Sequence, residues 1–257
     1  MSYRTFSLHQ LGWQPAFAAS LTLADFEAGY PARVVGVQGD YLSVLSSRGR
    51  SVVDWPQHDA VAGDWVWLAQ SQAKGMRRLA RHSLLVGLRG EVDAGCATVA
   101  NLDALCLLAS CADVLDETLL TPLMAQALEA GIVPVLVLLH DDARVDAGLA
   151  VAMAQRRFPG TPVMAVMATQ SLMAAPLAPW LAEGRTIAFH CTSAVAAQWL
   201  LRVSIEEAHG LAAIGDALRP THHAAWLVDV SSKPEMIPGL LMPLQGRSAH
   251  LSEALPP

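Results

Sequence analysis

The sequence has few charged residues, few cysteines and no long uninterrupted apolar segment. Charged residues make up 16% of its 257 positions and hydrophobic residues 53%, a composition that excludes an intrinsically disordered chain. It contains no run of about 18 consecutive apolar residues, so a transmembrane helix is not expected. The opening residues, MSYRTFSLHQLGWQ, also lack the basic and then apolar plan of a secretory signal peptide. We therefore expect a cytoplasmic protein with no membrane contact.

The cysteines are too few and too scattered to predict a metal site or a disulfide framework. There is no CxxC pair and no histidine at the spacing of a zinc ligand, so we expect plain buried thiols. The four cysteines are Cys96, Cys106, Cys111 and Cys191. The adjacent His222 and His223 predict a short loop rather than a metal site, because neighbouring side chains diverge and no third ligand is near.

The net charge of −6 argues against a nucleic-acid contact over the whole surface, but the charge is unevenly distributed. Residues 1–85 hold eight Lys and Arg against six Asp and Glu, whereas the remainder holds nine against seventeen. The basic part includes the segment KGMRRLARH, so any RNA contact is predicted there. The candidate RNA-binding residues are Lys74, Arg77, Arg78 and Arg81. A solvated face of the fold is the competing interpretation of these charges.

Short apolar segments separated by turn residues fill the chain from Pro31 to about Leu79. ARVVGV, YLSVLS, SVVDW and AGDWVWLA alternate with turn sequences such as QGD and SRGR, a rhythm typical of a small antiparallel β-barrel or sandwich. Trp65 and Trp67 alternate with Val66 and so lie on one face of a strand. Two interpretations are open for this pair, namely the barrel core and a stacking platform for bases.

After about residue 100 the pattern changes to strands that alternate with helices. LDALCLLAS, PVLVLL and PVMAVMA are continuous apolar runs, typical of strands covered on both faces. ETLLTPLMAQALEAG, VDAGLAVAMAQRRF and a segment around Leu172–Leu181 predict helices. TIAF and AAWLVDV predict two further strands. Repeated units of this kind predict an α/β fold with a parallel sheet and right-handed crossovers.

Four short motifs in a fixed order resemble a known family. LGWQPAF, PARVV, VAGDWV and VANLDALCLL, in a barrel followed by an α/β domain, are similar to the ribosome small-subunit-dependent GTPases called RsgA or YjeQ. The resemblance implies an N-terminal segment and an OB-like barrel in residues 1–85, and a circularly permuted P-loop GTPase-like parallel α/β domain in residues 86–240. It also implies a role late in the maturation of the small ribosomal subunit. The family's zinc-binding domain is not expected in the remaining tail, residues 241–257, which holds no cysteine.

The family's phosphate loop, Gly-x-x-Gly-x-Gly-Lys-Ser, falls on the eight residues that follow the predicted strand TIAF and its histidine. They are Cys191, Thr192, Ser193, Ala194, Val195, Ala196, Ala197 and Gln198. None is a glycine, the residue that lets backbone N–H groups converge on phosphate, and each alanine there costs on the order of 1 kcal/mol. Ala197 and Gln198 replace the lysine and the magnesium-binding serine on which phosphoryl transfer depends. The helix N-terminus that follows still predicts weak anion binding.

The remaining nucleotide motifs are also reduced. The resemblance places the guanine-reading Asn-Lys-x-Asp on Leu139–Asp142, where only Asp142 matches, and the second base-contacting motif on Met167 and Ala168. It places the magnesium-side Asp-x-x-Gly on Asp229–Ser232, where the aspartate is retained and the glycine is not. Specific guanine binding is therefore not expected, and an exposed turn is the competing interpretation of the aspartates after Leu139.

Three functions are compatible with these residues. The first is an RsgA-like pseudo-GTPase, a non-catalytic or very weakly nucleotide-binding module that contacts the small ribosomal subunit, its rRNA or an unidentified protein partner. It requires no cofactor and no catalytic residue. The second is a slow GTP hydrolase in 30S subunit maturation, which would need GTP and Mg²⁺ and would use Asp142, Asp229 and one histidine of His222 and His223. The third is a protein-interaction scaffold without an RNA role.

Overall fold

The computed structural model describes most of the chain up to Thr192 and short pieces beyond it. The described residues are 6–70, 76–86, 98–111, 117–140, 146–169, 176–192, 196, 199, 219–220 and 226–229. Two β-sheets dominate them, one antiparallel and the other almost entirely parallel. Within these ranges, no helix is both long and apolar enough to cross a membrane.

The antiparallel sheet forms the N-terminal unit. Its strands run in the order β3-β2-β1-β4-β5. They are β1 (Gly29–Gln38), β2 (Tyr41–Ser46), β3 (Gly49–Asp54), β4 (Trp65–Ala69) and β5 (Arg77–Arg78). The long strand β1 pairs with both β2 and β4, and tight turns join β1 to β2 and β2 to β3. The predicted OB-like barrel is therefore confirmed.

Period-two alternation places the side chains of β1 on two opposite faces. Ala32 and Val34 point into an apolar cluster inside the barrel, whereas Val35 belongs to a larger cluster on the outer face. The inner cluster consists of Ala32, Val34, Leu42, Val44, Trp55, Ala60, Val66 and Leu68. Trp65 and Trp67 lie in the outer cluster and are 0% and 3% exposed, so this pair is core and not a stacking platform for bases.

A short N-terminal segment precedes the barrel and packs on its outer face. A 3₁₀ helix at Pro15–Ser20 buries Phe17, whose ring centroid lies 5.8 Å from that of Trp65. Helix α1 (Leu23–Ala28) begins at a capping box in which the Thr22 and Asp25 side chains each accept from the other residue's backbone N–H. The contact of Phe17 with Trp65 therefore holds this segment on the barrel, and the capping box fixes where α1 begins.

A two-stranded antiparallel ribbon leads from the barrel to the second unit. Strand β6 (Leu84–Val86) pairs with β7 (Thr98–Ala100). The ribbon is tied to the barrel by an isolated bridge between Ala62 and Val99. The Asn101 side chain also donates to the carbonyl oxygen of Gly63 at 2.9 Å.

The second unit is a six-stranded sheet in the order β10-β9-β8-β11-β13-β12. Its strands are β8 (Ala104–Ser110), β9 (Val133–His140), β10 (Val163–Met167), β11 (Thr186–Cys191), β12 (Arg219–Pro220) and β13 (Trp226–Asp229). All neighbouring pairs are parallel except β12 with β13. The predicted parallel α/β unit is thus confirmed, and β8, the first of these strands in the chain, lies in the middle of the sheet.

Two helices connect strands of this sheet where apolar periodicity predicts them. Helix α2 (Glu117–Glu129) lies between β8 and β9, and α3 (Ala147–Arg157) lies between β9 and β10. The chain leaves α2 through Gly131, whose φ of +75° is a conformation that side-chain-bearing residues disfavour.

The helix predicted around Leu172–Leu181 is wrong for the part of that segment that the structure describes. Residues 176–181 form consecutive turns. Pro176 and Pro179 explain the difference, because proline lacks an N–H donor and clashes with a preceding helical turn. Leu177 and Leu181 are nevertheless buried against the sheet, so their spacing reflects the packing of a turn-rich segment.

The two units share one apolar core. The largest cluster joins residues of the outer barrel face, such as Trp65, to residues of the parallel sheet, such as Leu105 and Leu136. A separate cluster that includes Leu108 and Phe189 covers the other face of the parallel sheet. Strand β11 is buried at every position, as expected of a strand covered on both faces.

We predict that Gly63→Ala lowers the free energy of unfolding by about 3 kcal/mol. Gly63 has a φ of +90°, and an added Cβ would overlap the backbone carbonyl oxygen of Ala100 in the ribbon. Urea denaturation of the two proteins measures the difference.

Gly39→Ala is the matched control for this prediction. Gly39 also has a positive φ, +55°, but an added Cβ there meets no atom within 4 Å. Its cost is the backbone strain alone, about 1 kcal/mol. Equal losses for the two variants would contradict the close approach of the barrel and the ribbon.

Candidate functional site

The residues that match the phosphate loop begin at a place where open α/β sheets commonly bind ligands. Strands β8 and β11 are neighbours, with Cys191 in register with Leu108. The chain passes from β8 to β9 and β10 on one side of β8, and then returns to add β11 on the other side. Such a switch point forms a crevice outside the carboxyl ends of the strands. Cys191 is the last residue of β11, so this strand ends at the crevice.

The first two residues of this segment are committed to the sheet. Cys191 is 3% exposed and packs in the apolar cluster. The backbone N–H and the hydroxyl of Thr192 both donate to the carbonyl oxygen of Leu108, at 2.9 and 3.0 Å. A phosphate loop offers its N–H groups to the ligand. Here both Thr192 donors instead bond to β8 and so extend the pairing of β8 with β11.

The next described residues are two helical positions that are buried among apolar side chains. Ala196 and Trp199 are 0% and 3% exposed and pack in the same cluster as Phe189. Their spacing of three places them on one helical face. The other positions of the segment, Ser193, Ala194, Val195, Ala197 and Gln198, lie outside the described residues.

The described residues of the other motifs lie at the same end of the parallel strands. Asp229 ends β13 and is in register with Phe189 of β11, so its backbone is next to the strand that leads to the phosphate-loop position. The N–H of Ala168 donates to the carbonyl oxygen of His140 at 2.7 Å. The buried Nδ1 of His140 has no hydrogen-bond partner within the described part of the chain. Asp142 lies outside the described residues.

The first two described arginines of the basic segment are bonded to carboxylates of the N-terminal unit. Arg77 Nη2 lies 3.0 Å from Asp25 Oδ2, and Arg78 Nε lies 3.2 Å from Asp59 Oδ2. Hydrogen bonds from Thr22, together with Arg77, lower the pKa of Asp25, so this carboxylate is charged at neutral pH. A phosphate group would compete with these carboxylates for the arginines. Lys74 lies outside the described residues.

Arg81 is held by a buried carboxylate. Its Nε and Nη2 donate to the two oxygens of Asp64 at 2.7 and 2.6 Å, and Asp64 is 0% exposed. The N–H of Val61 donates to the same carboxylate at 2.8 Å. The bonds to Asp64 raise the pKa of Arg81, and a two-point pair of this kind is strongly directional. Arg81 therefore stabilises the barrel.

Two arginines that the charge pattern did not single out are better placed to bind an anion. Arg48 and Arg50 flank Gly49 at the turn between β2 and β3, and both are exposed. Neither forms an ion pair with a carboxylate of the described ranges. The Arg48 guanidinium lies 4.0 Å from the centroid of the Tyr30 ring, and stacking of this kind leaves the N–H donors at the guanidinium edge. The short basic sequence RGR, residues 48–50, indicates this site. The prediction of RNA contact went instead to the segment after residue 74, which holds more basic residues.

Metal-binding and reactive groups are sparse in the residues that the structure describes. No group of three or more His, Cys, Asp or Glu there is placed to hold a metal ion. Cys106 and Cys191 are buried free thiols, which confirms the prediction for these two positions, and Cys111 is half-buried. Burial raises the pKa of Cys106 to about 12, so its thiolate is scarce. The remaining candidates, Cys96, His222 and His223, lie outside the described residues.

No protein-family model matches the chain, but three curated proteins resemble it over most of its length. It is 32% identical over 209 residues to the small ribosomal subunit biogenesis GTPase RsgA 2 of Vibrio vulnificus, which covers 80% of this chain and 60% of that protein. It is 32% identical over 209 residues to the small ribosomal subunit biogenesis GTPase RsgA of Mesorhizobium japonicum, covering 74% and 56%. RsgA 2 of Vibrio parahaemolyticus is 29% identical over 191 residues, covering 73% and 53%. The chain spans somewhat more than half the length of these relatives.

We predict that iodoacetamide at mildly alkaline pH modifies Cys111 well before Cys106 in the folded protein. Cys106 is fully buried and its pKa is about 12, whereas Cys111 is partly accessible, and alkylation requires an accessible thiolate. Mass spectrometry of timed digests measures each site. In denaturing urea the two should react alike, and equal rates in the folded protein would contradict the burial of Cys106.

Proposed function

The chain belongs to the RsgA family of small ribosomal subunit biogenesis GTPases, and from this premise we propose that it is a pseudo-GTPase that serves as a binding module. The observation that carries the proposal is the phosphate-loop position itself. Cys191–Gln198 holds no glycine, no lysine and no magnesium-binding serine at the family's positions, although the strand before it is fully buried.

The physical argument concerns the charge of a triphosphate. Phosphoryl transfer depends on positioning and on electrostatic stabilisation of the phosphate oxygens. Ala197 supplies no cation, Gln198 supplies no hydroxyl, and the Thr192 donors are bonded to Leu108. What remains for an anion is the partial positive charge of the helix N-terminus that the sequence predicts here, which would stabilise an anion by about 1 kcal/mol. The proposed module therefore holds nucleotide weakly and does not hydrolyse it.

We propose the small ribosomal subunit as the partner and the cytoplasm as the location. The relatives are named as biogenesis GTPases of that subunit, and an OB-like barrel is a fold that commonly binds nucleic acid. The alternative partner is an unidentified protein that contacts the parallel α/β unit. The part of the chain after residue 85 carries nine Lys and Arg against seventeen Asp and Glu, which disfavours RNA contact there.

Within the barrel, we propose that Arg48 and Arg50 contact RNA phosphates. Both are exposed and neither is bonded to a described carboxylate, so an incoming phosphate displaces no internal ion pair. Arg77, Arg78 and Arg81 would each have to give up a carboxylate partner. The pairs of Arg77 and Arg78 are at the surface and can exchange for phosphate, so these two residues are the secondary contacts.

One observation favours the second candidate function, a slow GTP hydrolase. Asp229 matches the family's magnesium-side aspartate, and its backbone lies beside β11, in register with Phe189. An aspartate at this place can hold a magnesium ion only together with phosphate oxygens. The hydrolase therefore requires the nucleotide affinity that the phosphate-loop position lacks.

We expect calorimetric titration of the full chain with GTP and Mg²⁺ to give no micromolar binding. A restored loop is the matched positive control, made with Cys191→Gly, Ala194→Gly, Ala196→Gly, Ala197→Lys and Gln198→Ser. We expect this variant to bind GTP and ATP equally, because the residues that read guanine are not restored. Micromolar, magnesium-dependent binding by the unmodified chain, lost in Asp229→Ala, would establish the hydrolase instead.

We expect the protein to co-sediment with small ribosomal subunits at low salt and to dissociate as salt is raised, because binding to phosphates releases counterions. The slope of log affinity against log salt is negative, and the double variant Arg48→Gln with Arg50→Gln should reduce its magnitude by about 1.5, the contribution of two phosphate contacts.

The double variant Arg77→Gln with Arg78→Gln is the matched control, since it removes the same number of charges from the same barrel. We expect it to change the slope less than the first variant. Equal slopes for the two variants would contradict the assignment of Arg48 and Arg50. Co-sedimentation that is insensitive to salt would instead indicate a protein contact.

A further inference from the structure

The strongest unexplained feature outside the nucleotide site is a charged side chain in the core. Arg33 lies in β1 and is 1% exposed. Its neighbours Ala32 and Val34 point into the barrel, so the alternation of the strand places Arg33 on the outer face, toward the parallel sheet. Burial lowers the pKa of Arg33 to about 10, while the charges of Asp103 and Asp64 oppose this shift. The guanidinium is therefore protonated at neutral pH.

The Arg33 guanidinium donates to three segments that are remote in sequence. Nη1 donates to the carbonyl oxygen of Leu11 at 2.6 Å. Nη2 donates to Thr186 Oγ1 at 2.5 Å and to the carbonyl oxygen of Asn101 at 3.5 Å. One planar group thus joins the N-terminal segment, the barrel, the residue after the ribbon and the first residue of β11.

The backbone around this group is built to bring the N-terminal segment against the parallel unit. Gly12 and Gly184 have φ values of +84° and +76°. A Cβ on Gly12 would lie 2.5 Å from the carbonyl oxygen of Gly184 and 2.8 Å from Arg33 Nη1, and a Cβ on Gly184 would lie 2.5 Å from the carbonyl oxygen of His9. No other residue type allows this approach, so the glycines and the arginine form one contact.

Thr186 is held from the opposite side as well. Its N–H donates to Asp103 Oδ2 at 2.8 Å, and its carbonyl oxygen accepts from the Asp103 N–H at 2.8 Å. Arg185 Nη1 lies 3.3 Å from Asp103 Oδ1. The amino end of β11 is therefore fixed between Asp103 of the parallel unit and Arg33 of the barrel.

A buried arginine at this position contributes directional hydrogen bonds, which an apolar residue could not. The units already share an apolar cluster, but apolar contacts are not directional, so they permit small sliding of one unit on the other. Hydrogen bonds from a planar, charged donor are directional. A buried charge also costs desolvation energy, so its presence is best explained by the orientation that it fixes.

We propose that Arg33 is an orientation lock, a single guanidinium that fixes the barrel against the amino end of β11 and gives the two units one mutual orientation. The lock is separate from nucleotide binding, because Thr186 lies at the opposite end of β11 from Cys191. The lock makes the N-terminal segment, the barrel and strand β11 one rigid body.

Hydrogen–deuterium exchange of the full chain tests the lock with Arg33→Met. We expect amide exchange in residues 7–13 and 182–187 to accelerate about tenfold or more, because the variant loses hydrogen bonds to a charged group and each contributes roughly this factor. Exchange in β2, β3 and β9 should keep the rate of the unmodified protein. Arg50→Met, an exposed arginine of the same barrel, is the matched control and should change neither segment.

Thr186→Val tests the same lock without removing the charge. It deletes one acceptor of Arg33 and should accelerate exchange in the same two segments about threefold, the loss of one hydrogen bond. This variant decides the proposal if Arg33→Met does not fold. Unchanged exchange in both segments, or acceleration spread evenly over the whole chain, would overturn the lock, because the first denies the contact and the second indicates general destabilisation.

Discussion

The burial of Arg33 is the constraint around which the rest of the described structure is arranged. A buried, protonated guanidinium requires acceptors from several directions, and the chain provides them from Leu11, Asn101 and Thr186. The positive φ of Gly12 and Gly184 lets the backbone come close enough to meet it. The barrel and the parallel sheet therefore meet both through a shared apolar cluster and through the hydrogen bonds of one buried charged group.

The parallel sheet keeps its architecture for reasons that do not involve nucleotide chemistry. Strand β11 is covered by apolar clusters on both faces, and Ala196 and Trp199 extend one of them past the end of the strand. Glycine, lysine and serine in a phosphate loop contribute to binding and little to this packing. A chain can therefore lose those residues and retain the fold, which is the physical basis of the proposed pseudo-GTPase.

The strand pattern of both units could be predicted from sequence because burial imposes regular periods. Alternation indicated the barrel, and continuous apolar runs indicated the parallel strands that were found. Side-chain partners could not be predicted in this way. Arg77, Arg78 and Arg81 look like an open basic surface in the sequence, but their carboxylates, Asp25, Asp59 and Asp64, lie 52, 19 and 17 residues away. Only the folded barrel brings these charges together. The absence of glycine from the phosphate-loop position could be seen once the family resemblance placed that motif on Cys191–Gln198, whereas the hydrogen bonds from Thr192 to Leu108 depend on the register of β8 and β11.

Strand β1 serves two partners at once, and its length is constrained differently in its two halves. The pairing of β1 with β2 changes register between Val34 and Gly36, so the bulge separates the half that carries Arg33 from the half that forms the hairpin. Gain or loss of one residue beyond the bulge can be absorbed near Gly39, where the turn is open to solvent. The same change before Val34 would exchange the faces of the strand, sending a cation into the apolar interior of the barrel and turning Ala32 outward. Natural length variation in this strand should therefore be confined to its hairpin end.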